Sequence, residues 1–265
     1  MEQNKTGSSA EASAKAGRYL KYAIGEIILV VIGILIALQV NNWNENRKDR
    51  KKELTVLSQI KEDYNSNLKQ LDEKIDIRKK AIISSKWLLS YIDGNPTLSK
   101  DSILIHLGKS GYAATFDPIN QQLMGSEILS YIRNDKLKHM LSSWSSEVVQ
   151  VTEEEQDWNQ FKDDVRTPFL VKQNVIRNLI DMAWNNDEIL ITFTDQNATK
   201  TKVEIGKSKS QIDYESIIKI PEFESILAFG ISRNAVANVQ SMTLRQRILE
   251  ILEIVDQEIN ELSNE

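Results

Sequence analysis

The chain has no cysteine among its 265 residues. Disulfide bridges, thiolate metal sites and a cysteine nucleophile are therefore excluded. Proline is limited to four residues and glycine to ten. β-Branched clusters are also few, while Leu, Ile, Lys, Glu, Gln and Asn recur at helical spacing. Together these features predict a mainly α-helical chain. No phosphate-binding loop, dinucleotide fingerprint or nucleophile elbow occurs. Net charge is −5, and the basic runs at residues 47–52 and 200–209 are local. No face is basic enough to bind nucleic acid.

What is present is a single long apolar run. Residues 22–43 read YAIGEIILVVIGILIALQVNNW, and from Ala23 to Val40 the only strongly polar side chains are Glu26 and Gln39. At a rise of about 1.5 Å per residue, this run is just long enough to cross a hydrocarbon core of roughly 30 Å. A secretory signal peptide would end in small residues before a cleavage point, whereas this run leaves through Gln39, Val40, Asn41, Asn42 and Trp43. Core helices of soluble proteins rarely stay apolar on all sides for so long. The run therefore reads as an uncleaved, single-pass transmembrane anchor. Tyr19, Lys21, Tyr22 and Trp43 suit the headgroup regions at its ends.

Four residues of this segment are candidates for contacts. Glu26, Val30, Gly33 and Ala37 follow a 4-3-4 spacing, which aligns them on one side of a helix. Gly33 and Ala37 form a small-xxx-small pair that permits close helix approach in lipid, with Glu26 as a polar contact on the same seam. Trp43 sits in a polar collar, NNWNEN, at residues 41–46. It reads as an interfacial anchor, with the asparagines capping or solvating the emerging helix. The competing reading is a recognition surface.

The organisation that follows is a disordered polar tail at 1–18, a transmembrane anchor at 19–43 and a helical bundle domain at 44–265. Residues 44–91 lack Gly and Pro and predict one long helix. Its seam runs through Leu54, Leu57, Lys61, Tyr64, Leu68, Leu71, Ile75, Arg78, Ile82, Ser85, Leu89 and Ile92 at alternating spacings of three and four. Asp93-Gly94-Asn95-Pro96 ends it. A short helix is expected at 99–109. Asp117-Pro118 is expected to open another, reaching Met124. Further helices are expected at 126–132, from Asn134 or Asp135 to about Arg166, and from Thr167-Pro168 through Ala183. Residues 189–206, with ILITFT and TKVEI around DQNATK, read either as a small β-hairpin or as an extended excursion. Asp213 caps a turn of helix, and Pro221 opens a long C-terminal helix with Leu244, Ile248, Ile251, Val255 and Leu262 on its seam. The expected fold is all-α, a bundle in which the helix leaving the membrane packs antiparallel to the C-terminal helix.

Chemistry finds little support. His106 lies on a short amphipathic helix and reads as packed or half-exposed. His139 follows Asp135 by four residues, so a carboxylate–imidazole pair on one helix face is conceivable, yet no nucleophile accompanies it. Neither histidine has an acid three residues before it, as a di-iron bundle requires. Glu153, Glu154, Glu155 and Asp157 read as a solvated acidic face. No catalytic, cofactor-binding or metal-binding residue is assigned.

One resemblance is specific. GEIILVVIGILIALQVNNWNE at 25–45, TFDPINQQLMGSEILSYIRNDKL at 115–137 and DYESIIKIPEFESILAF at 213–229 resemble DUF6090, a family of uncharacterised membrane proteins of Bacteroidota. The resemblance implies a single N-terminal anchor, a mostly helical domain and no assigned activity. It also implies a cytoplasmic N-terminus and a periplasmic domain at the inner membrane, although GSSAEASAKAG here replaces the family's compact basic tail. The expected function is a non-enzymatic interaction, scaffold or accessory module. Its partners would be the lipid bilayer, a second copy of the chain and a further protein. The runner-up is a ligand sensor signalling through a membrane partner, and the third class is an enzyme with an unrecognised site.

Overall fold

The computed structural model describes residues 7–95, 98–119, 126–193 and 203–264. It divides into two compact units, Met1–Val56 and Leu57–Glu265. Helix α1, Gly7–Ile92, contributes to both. After it come α2 (Ile103–Lys109), α3 (Ser126–Tyr131), α4 (Asp135–Phe161), α5 (Thr167–Lys172), α6 (Ile176–Trp184), α7 (Asp187–Phe193), α8 (Tyr214–Ile218) and α9 (Pro221–Asn264). No strand occurs among the described residues. The all-α expectation holds.

The first unit is helical from Gly7, although a disordered tail was expected over 1–18. Ala10, Ala12, Ala14 and Ala16 account for the difference, since alanine is the strongest helix former. Residues 1–6 lie outside the described residues.

The second unit is built on residues 57–92 of α1 together with α4 and α9. Polar pairs report their directions. Lys61 Nζ lies 2.7 Å from Asp256, and eleven residues further along α1 Asp72 accepts from Arg245, eleven residues back along α9, at 2.7 Å. These two helices are antiparallel, as expected. Helix α4 is also antiparallel to α9: Asn134 donates to Glu258 at 2.7 Å, Glu147 accepts from Arg247 at 3.0 Å and Glu154 accepts from Arg233 at 2.9 Å. It follows that α1 and α4 run parallel. The Tyr64–Trp144 ring contact and the Arg78–Glu155 pair agree, both positions rising together.

Parallel neighbours require a return crossover, and residues 112–119 supply it as an extended segment. An Asp117-Pro118 helix start was expected here, but 117–119 are not helical, and 120–124 lie outside the described residues. Side chains of α1 explain why. The Gln70 amide donates to Asp117 O and accepts from Asp117 N, both at 2.9 Å. The Asn67 amide likewise accepts from Ile119 N at 2.7 Å and donates to Ile119 O at 3.4 Å. Each amide carries one donor and one acceptor face, so it satisfies an extended residue as a neighbouring strand would. On the other side, Trp158 Nε1 donates to Tyr112 O at 2.8 Å.

The α1 stripe is broader than a two-helix seam. Leu57, Tyr64, Leu71, Ile75, Arg78 and Ser85 are buried as expected, but Ile60, Asn67, Ala81 and Leu88 are buried in place of Lys61, Leu68, Ile82 and Leu89, and Asp63, Ile77 and Ser84 are buried as well. The helix faces α4, α9 and the crossover at once, so no narrow 3.5-residue line describes it.

Helix ends follow local chemistry. Gly94, at φ 86°, closes α1 through Gly94 N to Tyr91 O and Asn95 N to Ser90 O. This is a left-handed cap that glycine adopts without Cβ strain. Asn174, at φ 60°, ends α5 in the same way, with Val175 N donating to Leu170 O at 3.0 Å. That cap splits the single helix expected from Pro168 to Ala183. Val175 and Leu170 join Leu88, Ile103, Leu107, Phe169, Ile218 and Phe223 in one apolar cluster at the end of the unit.

At 189–206, the first arm of the alternative hairpin is helix α7. The turn DQNATK lies outside the described residues. Of the second arm, residues 203–205 are neither helix nor strand, and side chains of α6 hold the chain there: Arg177 donates to Ile205 O at 3.2 Å and Gly206 O at 2.7 Å, and Asp181 accepts from Gly206 N at 2.9 Å.

At the centre lies a buried charged pair. Arg78 Nη2 donates to Glu155 Oε1, with both side chains 1% exposed. Arg78 Nη1 donates to Asn238 Oδ1 at 2.8 Å and Ser241 Oγ at 2.9 Å, while Glu155 Oε2 accepts from Phe116 N at 2.8 Å. Glu155 was expected on a solvated acidic face. It instead follows Val151 by four residues and precedes Trp158 by three, which puts it on the buried stripe of α4. Burial pushes its carboxyl above the usual range, against the pull of Arg78. Removing either partner alone leaves the other charge buried and unpaired. Arg78→Ala or Glu155→Ala should each cost about 3–5 kcal/mol in urea unfolding of the detergent-solubilised chain, and Arg78→Met/Glu155→Leu should cost clearly less than the sum. Additive losses would show that the two charges act independently.

Candidate functional site

The candidate residues named from the sequence lie on the apolar stretch of α1. Its best window has a mean hydropathy of 2.3, and none of it is buried. Ile27, Leu29, Val30 and Leu35 point to different sides of the helix and are all 58–70% exposed. A hydrophobic surface bare all the way round is not stable in water, since each such side chain buried would gain about 1.5–3 kcal/mol. Helical backbone meanwhile satisfies its own hydrogen bonds, as a lipid environment demands.

Glu26, Val30, Gly33 and Ala37 are on this helix and exposed. A Cβ added at Gly33 would meet nothing within 4 Å. The flat strip of backbone that a second helix would need is therefore open. Trp43 is 66% exposed, with the Arg47 guanidinium 5.9 Å from its ring centre. The asparagine collar is helical throughout, so its residues do not cap an end as one reading expected. Asn41 instead donates to Glu45 one turn on, at 3.2 Å.

Other residues singled out for chemistry have structural partners. Asp135 meets Lys138 at 2.6 Å, and Lys138 holds its carboxyl below the usual range. His139 is exposed. His106 lies half-buried, stacked on Trp87 with ring centres 4.2 Å apart and its Nδ1 3.2 Å from Ser84 Oγ. Among the described residues no group of three or more His, Asp or Glu could hold a metal ion.

Two cations are buried. Arg78 was expected on the α1 seam, but its pairing with Glu155 was not. Arg166 escaped the sequence reading; it lies in a π-helical turn at Lys162–Arg166 that joins α4 to α5. The wider turn removes the clash that the Pro168 ring would cause with the preceding α-turn. Arg166 Nη2 donates to Leu107 O at 2.6 Å, at the C-terminal end of α2, where the helix dipole is negative. Burial lowers its pKa to about 10, so it remains charged at neutral pH. An arginine just before a Thr-Pro pair, on the phase of the α4 core stripe, is the signal that could have found it.

Among the described residues the chain is all-helical, with one helix long and apolar enough to cross a membrane, and that is the class these features define. Residues 26–92 match the family model of DUF6090, a family of unknown function. The resemblance noted from the sequence is thereby borne out over the apolar stretch and the rest of α1, ending at that helix's last residue. Comparisons with curated proteins and with solved structures return no match.

His106 should make the second unit lose stability in mild acid. Burial, then the nearby Lys109, holds its pKa below the ordinary value of 6.5. Below pH 6.5 the unfolded chain gains a proton that the folded imidazole does not, so stability is lost as pH falls. The urea midpoint should drop between about pH 7.5 and 5.5. In His106→Gln that drop should be smaller; an equal drop would assign it to other groups.

Proposed function

We propose that the chain is a single-pass membrane protein whose anchor tethers a non-enzymatic helical interaction module to the bilayer surface. The observation that carries this reading is the apolar stretch of α1, bare on every side. Trp43 marks its exit at the interface, and Glu26 lies near its other end, close enough to reach back to water. The absence of enzymatic activity is supported by the engagement of Asp135 with Lys138 and of His106 with Trp87. The N-terminus is cytoplasmic and the bundle periplasmic at a bacterial inner membrane, in keeping with the resemblance to membrane proteins of Bacteroidota.

The experiment is fractionation followed by proteolysis. The full chain should stay with membranes through an alkaline carbonate wash, and protease added to spheroplasts should degrade the bundle. Release by carbonate would overturn the anchor, while protection of the bundle would reverse the orientation.

A second copy of the chain is the partner that the Gly33/Ala37 strip suits. Crosslinking in membranes should trap a dimer, and Gly33→Leu should weaken it severalfold by holding the backbones apart. An unchanged dimer yield would remove this strip from the interface.

A further inference from the structure

We propose that the helical turn and a half just beyond the apolar stretch binds anionic phospholipid headgroups through Arg47, Lys48, Lys51 and Lys52. This rests on the membrane anchoring proposed above and names the lipid class that the anchor selects. Five of the six residues at 47–52 are basic, the exception being Asp49. At 3.6 residues per turn, positions 47, 48, 51 and 52 share one face. Glu45, Asp49 and Glu53, four residues apart, form a separate stripe, and Arg50 pairs with Glu53 at 3.5 Å. Arg47, Lys48, Lys51 and Lys52 are all exposed, while Glu53 is buried.

Position along the helix sets the basic side against phosphates. From Val40 to Arg47 the axis advances on the order of 10 Å, and the headgroup layer beyond the hydrocarbon is roughly 5–8 Å deep. Arg47 therefore begins about 2–5 Å beyond that layer, and the cluster starts within a Debye length, about 8 Å at physiological ionic strength. Direction adds to distance. Helical side chains lean toward the N-terminus, which for this segment is toward the bilayer. Arg47 shows the lean, its guanidinium lying back over the Trp43 ring one turn nearer the apolar stretch. Long aliphatic stems let the other cations reach the same way. A soluble acidic partner would have to compete with phosphates already at hand. Wherever the facing leaflet is anionic, its negative surface potential draws in cations that lie within a Debye length.

The test uses the full chain in phosphatidylcholine vesicles containing about one-fifth phosphatidylglycerol, with bromine placed on the acyl chains of one lipid or the other near the headgroup. Trp43 reports which lipid lies beside it, and Trp43→Phe supplies the background from the remaining tryptophans. Brominated phosphatidylglycerol should quench Trp43 at least twofold more than its mole fraction predicts. The excess should fall in about 1 M salt, where the Debye length shrinks to about 3 Å. It should vanish in the Arg47→Gln/Lys48→Gln/Lys51→Gln/Lys52→Gln variant, which still quenches with either lipid. Quenching in proportion to mole fraction, or an excess that survives in the variant, would overturn the lipid selectivity and leave the anchor standing. No quenching by either lipid would overturn the anchor, and the selectivity with it.

Discussion

A charge on α1 that has left water must be matched, and Arg78 is matched from two helices at once, while a third element holds its partner. Glu155 comes from α4, Asn238 and Ser241 from α9, and the Phe116 N–H of the crossover completes the Glu155 carboxylate. Each element moved out of register leaves a buried donor or acceptor unsatisfied, at a cost comparable to a lost hydrogen bond or more. Apolar side chains tolerate sliding, and a fixed guanidinium does not. The pair is thus less a source of net stability than a device that fixes how three helices and one extended segment align.

A second regularity is how the non-helical pieces are held. The parallel relation of α1 and α4 obliges the chain to travel back between them, and residues 112–119 do so without a strand partner. Asn67 and Gln70 take the strand's place. Around residues 203–208 the same role falls to Arg177, Asn178 and Asp181 on α6. Polar residues on these helices thus serve as backbone partners, which is why non-helical chain can lie against the helices without exposing unpaired amides. Asn67, almost fully buried at 1%, occupies a core position for this reason and not for its hydrophobicity.

Much of the architecture was legible because it is local. The apolar stretch, the stop after Ile92, the Asn134 and Asp213 caps and the long C-terminal helix each follow from a few adjacent residues. What was missed depends on distant partners. Asp117-Pro118 carries a helix-start signal, yet the hydrogen bonds of Gln70 and Asn67 hold the chain extended there. Glu155 looked solvated because its neighbours at 153, 154 and 157 are acidic, although its phase between Val151 and Trp158 marks it as inward-facing. Read jointly with Arg78 on the α1 stripe, that phase would have indicated opposite charges meeting in the core. The residues of the apolar stretch and its collar differ again: Glu26, Gly33, Ala37 and Trp43 were read from composition and spacing alone, and they stay exposed in the folded chain.

The sequence distance between Arg78 and its partners has a consequence for synthesis. Asn238 follows Arg78 by 160 residues. At roughly 5–20 residues per second, a ribosome needs on the order of 10–30 seconds to deliver it after Arg78 emerges. For the first half of that interval, until Glu155 of α4 arrives 77 residues after Arg78, α1 presents an apolar stripe with an unmatched cation at its centre. The nascent domain is therefore most exposed to chaperones, proteases and mispairing while its first helix waits for its last.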